Sequence, residues 1–91
     1  MASKEQMKAQ QAGRWKTLAA KSAARLDALL HAITIAELST DLDRKPMRDL
    51  LIAALESHLY HAARADGLHH MAALEKSREG RKQADALAGW S

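Results

Sequence analysis

Four histidines, His58, His61, His69 and His70, fall within thirteen positions, and a fifth, His31, lies far from them. His58 and His61 are one helical turn apart, and a chain reversal at Gly67 can return His69 or His70 toward them, as imidazoles gather around a divalent metal. The fixed spacings that make zinc motifs specific, HExxH and paired CxxC, are absent. The plainer expectation puts His58 on an apolar helix face as a hydrogen-bonded core or interface residue, leaves the other histidines solvated, and assigns no metal ligand and no cofactor. A buried His58 would also make its interface sensitive to pH, because protonation adds a charge that must be desolvated.

Other chemistries find less support. Asp41, Asp43 and Asp49 cluster where a helix begins, and capping together with the helix dipole accounts for them. Ser22 falls on an apolar face with no base at helical spacing. Four scattered glycines build no phosphate loop. A few helices leave little room for a cleft, so no catalytic residue and no enzymatic activity are expected.

Basic residues form a more coherent set. Arg14, Lys16, Lys21 and Arg25, with Trp15 among them, precede Arg44, Lys45 and Arg48, which open a second helix where the amino terminus favours phosphate. Residues 1–25 carry six bases against one acid, residues 26–66 four against seven, and residues 67–91 four against three. A basic first segment beside an acidic middle suits an arm that meets a phosphate backbone or an acidic protein; equally, the two segments can answer each other within the fold or across a homodimer. Asp43 to Leu59, a basic start before a Leu-rich run, resembles the second helix of ribbon-helix-helix DNA-binding proteins. That resemblance implies a dimeric DNA-binding regulator. The short amino-terminal strand of that family has no counterpart, because Trp15-Lys16-Thr17-Leu18-Ala19-Ala20 reads as helix.

The elements that position these residues follow from composition. Among 91 residues are 20 Ala and 13 Leu, with no Phe, Val or Cys and a single Pro. Strong helix formers dominate, and the β-branched and aromatic residues that sheets need are scarce. The fold is therefore expected to be all-α, a small antiparallel helical hairpin or three-helix bundle. Ser3 and Gln6 match a capping box, but Gly13 weakens the helix they start by about 1 kcal/mol relative to Ala. Residues 1–13 are accordingly expected as a frayed basic extension.

A helical domain over 14–79 follows, with helices about 14–38, 44–66 and 68–79. From Trp15, the positions Leu18, Ala19, Ser22, Leu26, Leu29, Leu30 and Ile33 share one face. Ile35, Leu38 and Leu42 fall out of phase, which predicts a kink or an end near Ile33-Thr34-Ile35. Asp43 can cap the next helix, Pro46 fits its first turn, and Leu42 and Met47 can form a hydrophobic staple. Gly67 offers a left-handed stop. Gly80 reads as a breaker, and 80–91 as a loosely attached tail anchored by Leu87 and Trp90.

In the second helix, the apolar arc covers more than half the circumference. Only a weak third helix is left to cover it, and alanine buries little area. Leu51, Ile52, Leu55 and Leu59, with Trp90, are therefore the expected interface for a partner protein or a second copy. The first expectation for function is a non-enzymatic helical interaction or regulatory protein acting through that face. The alternative is a dimeric DNA-binding regulator using the seven basic residues above, and the weaker one is histidine-dependent metal binding. No apolar run approaches the roughly 18 to 20 residues of a membrane span; with no signal-peptide pattern and no cysteine, a cytoplasmic, membrane-free protein is expected.

Overall fold

A computed structural model describes residues 3–38 and 43–90, and among them the chain is all-α, with no strand. The four helices are α1 (Lys4–Glu37), α2 (Arg44–Ala65), α3 (His70–Ser77) and α4 (Glu79–Ala88). α1 and α2 form an antiparallel hairpin, and α3 and α4 fold back along α2. The molecule measures 59 × 21 × 16 Å, its length set by α1.

Local chemistry fixes the ends of these helices. The Ser3 hydroxyl accepts from the Gln6 amide and the Gln6 side chain accepts from the Ser3 amide, completing the capping box. With its first turn satisfied, α1 runs from Lys4 through Gly13, so residues 4–13 are helix and not the frayed extension expected above. At α2 the Asp43 carboxylate accepts from the Lys45 amide. The expected staple partner Leu42 lies outside the described residues, as does Asp41. α2 ends as its sequence implies: Gly67 takes φ +93°, the Leu68 amide donates to the Ala63 carbonyl and the Gly67 amide to that of Arg64, a Schellman closure. α3 is shorter than expected because His69 stays extended and caps it, its Nδ1 accepting from the Ala72 amide at 3.3 Å.

α1 does not end near Ile33 but runs on to Glu37. α1 stays helical, Ile33 is buried, and Ile35 and Leu38 simply point outward, Leu38 at 86% exposure. Loss of phase there marks where apolar residues leave the core face.

Residues 80–90 also differ from the loose tail expected over 80–91. α4 packs on α2 through fully buried Ala84. Gly80 lets it approach: a Cβ built there would lie 3.0 Å from both the backbone nitrogen and the Cγ of Glu56. Arg48 pairs with Asp85 at 2.8 Å. After Gly89 (φ +75°) the Trp90 amide donates to the Asp85 carbonyl, and its indole N–H donates to Glu37. The core joins Leu26 and Ile33 of α1, Leu51, Ile52 and Leu55 of α2, and Ala84 of α4, with Leu29, Leu30, Met47, Leu59 and Trp90 packed against it.

Candidate functional site

Ser22 interrupts the apolar stripe of α1, and it is 6% exposed. Its hydroxyl lies 3.1 Å from the Ala19 carbonyl, 3.1 Å from Nδ1 of His58 and 3.2 Å from Nδ1 of His61. A hydroxyl has one hydrogen to give and two lone pairs to receive with. It can donate to Ala19 and accept from both imidazoles, or donate to one ring and accept from the other; both rings cannot be Nδ1 acceptors together. The base absent at helical spacing on α1 is thus supplied by α2.

Aromatic rings extend this cluster. Trp15 and Tyr60 meet edge to face at 5.7 Å, and Trp15 and His61 stand 6.0 Å apart. The Arg64 guanidinium lies over the Trp15 ring, 5.0 Å from its centroid, a cation–π arrangement. Gly67 does reverse the chain as expected, but His70 reaches Tyr60, whose hydroxyl is 2.8 Å from its Nδ1. His69 is occupied in capping α3, and His31 is exposed. Among the described residues no three His, Asp or Glu side chains group as a metal site would need.

The Ser22 pair resembles a nucleophile beside a base, but an acyl-transfer site also needs N–H donors aimed at an oxyanion. Within α1 those amides are held in helical hydrogen bonds. What the arrangement does is staple α1 to α2. His61 has its pKa lowered, first by burial, then by repulsion from His58 and Arg25. The unfolded chain therefore takes up a proton, near the ordinary value of about 6.5, before the folded one does. Stability is highest above that pH and falls as pH drops toward the lowered folded value. A lower melting temperature at pH 5 than at pH 7.5 is expected, with the difference reduced in His61→Gln; equal pH dependence in the variant and the parent would show that other groups cause it.

The expected partner face is used internally. Leu51, Ile52 and Leu55 are buried beneath α1 and α4, Leu59 packs against the same core, and Trp90 is held over it. Leu51, Ile52 and Leu55 therefore offer no exposed surface, because α4 supplies cover, while Leu59 and Trp90 remain half-buried. The basic residues divide. Arg14, Lys16, Lys21 and Arg25 are exposed along α1. Arg44 and Arg48 lie toward the other end of the hairpin, roughly 30 Å from Arg14 at 1.5 Å per helical residue. Arg44 rests over Trp90 and Arg48 is paired with Asp85, while Lys45 is exposed. The seven do not form one surface. Sequence reasoning missed the Arg48–Asp85 and Gly80–Glu56 contacts, since both depend on where α4 docks.

No family model matches the chain, and neither a curated protein nor a solved structure is significantly similar to it.

Proposed function

We propose that the chain is a non-enzymatic helical interaction protein whose basic first helix meets an acidic protein surface, on a second copy of itself or on a partner. One observation carries this reading. The six bases of residues 1–25 form no ion pair among the described residues, although the following segment carries excess acid; the ion pair present there, Arg48–Asp85, lies elsewhere. The charge complementarity between the two segments is left for an intermolecular contact. α1 also reaches past its neighbours: residues 4–11 are exposed throughout, and such a helical segment gains little stability without packing.

Sedimentation at increasing protein concentration and at two salt concentrations tests self-association. A mass above the 10.0 kDa of one chain, falling as salt rises, is expected; a monomer at every concentration overturns it. No helix among the described residues is long and apolar enough to cross a membrane, and the working location proposed is the cytoplasm. The exposed Arg14, Lys16, Lys21 and Arg25 favour a second reading, phosphate contacts to DNA along α1. That reading predicts retardation of duplex DNA at about 50 mM salt that collapses by about 200 mM, and absence of retardation at low salt removes it.

A further inference from the structure

Beside Trp15, where α1 runs past the end of α2, a hollow of about 460 Å³ is lined by residues that include Lys8, Gln11, Trp15, Arg64, Leu68 and His69. A smaller hollow of about 250 Å³ on the same side shares Gln11, Trp15 and Arg64 and adds Arg14. The basic residues come from two separate elements, and the turn after α2 supplies the floor. No carboxylate lines either hollow.

Arg64 is the centre of this arrangement. Its guanidinium touches the face of Trp15, but Nε is buried without a hydrogen-bond partner among the described residues, and no ion pair there involves it. A guanidinium is a rigid fork of donors suited to oxygens in pairs, and Arg64 lines both hollows without an ion pair of its own among the described residues. His69 contributes a second kind of donor. Its Nδ1 is accepting from the Ala72 amide, which places the hydrogen of the neutral ring on Nε2.

From this geometry we infer that the hollow between α1 and the α2–α3 turn is a binding site for a phosphate group, free or as the monoester of a small molecule. Lys8, Arg14 and Arg64 supply positive charge, and Gln11 and His69 supply further donors. A dianion gains more from such a set than a carboxylate does. The negative end of the α2 dipole lies here, but Gly67 and Leu68 cap two of its carbonyls, and the positive end of α3 begins at the same turn. Trp15 already carries Arg64 on one face and His61 close by, so it positions the guanidinium and is not a stacking platform for a base. The site shares Lys8 and Arg14 with the protein contact proposed above, whereas Arg64 and His69 belong to the site alone, so a change at Arg64 tests it separately.

Nuclear magnetic resonance on the isotope-labelled full chain tests this, with inorganic phosphate and glycerol phosphate titrated separately against chloride at constant ionic strength. Saturable shifts of the Trp15 indole N–H and of the Leu68 and His69 amides are expected, with the Trp90 indole unmoved. Equal affinities identify the free phosphate group as the whole ligand, and tighter glycerol phosphate binding identifies a monoester; both support the site. Arg64→Met keeps the apolar stem on Trp15 and should weaken binding about tenfold or more, since a hydrogen bond to a charged group contributes about 1.5–3 kcal/mol. Lys8→Met, at an exposed position that leaves the core untouched, should also weaken it, and Lys45→Met should not. Shifts that never saturate, or an Arg64→Met chain with correctly dispersed signals that binds like the parent, overturn the assignment. So does duplex DNA that displaces phosphate from these residues with higher affinity, which would make the ligand a phosphodiester backbone.

Discussion

Leu51→Ala is expected to destabilise the fold by about 3–4 kcal/mol, the range for truncating a fully buried leucine whose surroundings cannot collapse. Leu51 has no exposed surface, and it belongs to the cluster that joins α1, α2 and α4. Small domains have about 5–15 kcal/mol in total, so the loss is a large fraction of what holds this one. Chemical denaturation followed by circular dichroism measures it directly. A loss under about 1 kcal/mol would mean that the face of α2 is not covered within one chain, and the interface first expected at Leu51, Ile52, Leu55 and Leu59 would be restored. Leu50→Ala serves as the comparison, because Leu50 is exposed and should change stability by at most about 0.5 kcal/mol.

The second large effect is expected at Gly80. Valine there would place a Cβ at the 3.0 Å limit against Glu56 and two further carbons beyond it, so α4 must rise from α2 or the helices must part. Overpacking of this kind costs about 1–3 kcal/mol, at times more, and the strain falls on backbone. Lifting α4 also exposes Ala84 and separates Asp85 from Arg48. The Trp90 indole should then become more solvated, seen as a red shift of fluorescence, with the Trp15 contribution separated by a Trp15→Phe background. Gly13→Val is the control: a Cβ at Gly13 meets nothing within 4 Å. Equal stability of the two valine variants would overturn the close packing of α4 on α2.

How far the sequence could be read depended on whether each signal was local. Asp43, Pro46 and Gly67 act within a turn of themselves, and they placed both ends of α2 nearly where they lie. Gly13 and Gly80 are the same residue with similar intrinsic cost, and by propensity both are weak points. Gly13 is carried by the capped helix around it. Gly80 is demanded by Glu56, 24 positions earlier in the chain, and propensity contains nothing about such a neighbour. The candidate site divides in the same way. The one-turn spacing of His58 and His61 and the lone hydroxyl in the α1 stripe were legible separately. Their meeting depends on the register of two antiparallel helices, which no single stretch of sequence states. The wide apolar arc of α2 is legible in the sequence, but the cover that Ala84 and Trp90 give it depends on where α4 docks.

The hydroxyl of Ser22, with one hydrogen among three partners, also bears on which fold the chain rejects. Alanine and leucine surfaces are nearly repetitive, and a helix lined with them can slide by a turn against its neighbour at little loss of buried area. Such a slip would set an apolar side chain opposite His58 and His61 and leave ring nitrogens buried without a partner, at about 1–3 kcal/mol for each. A single polar position can thereby select one alignment from several of similar hydrophobic merit, as a buried asparagine does in a coiled coil. Ser22→Ala would then lose more in uniqueness than in stability, and the sign would be doubled or broadened resonances from a chain that still melts near the parent temperature.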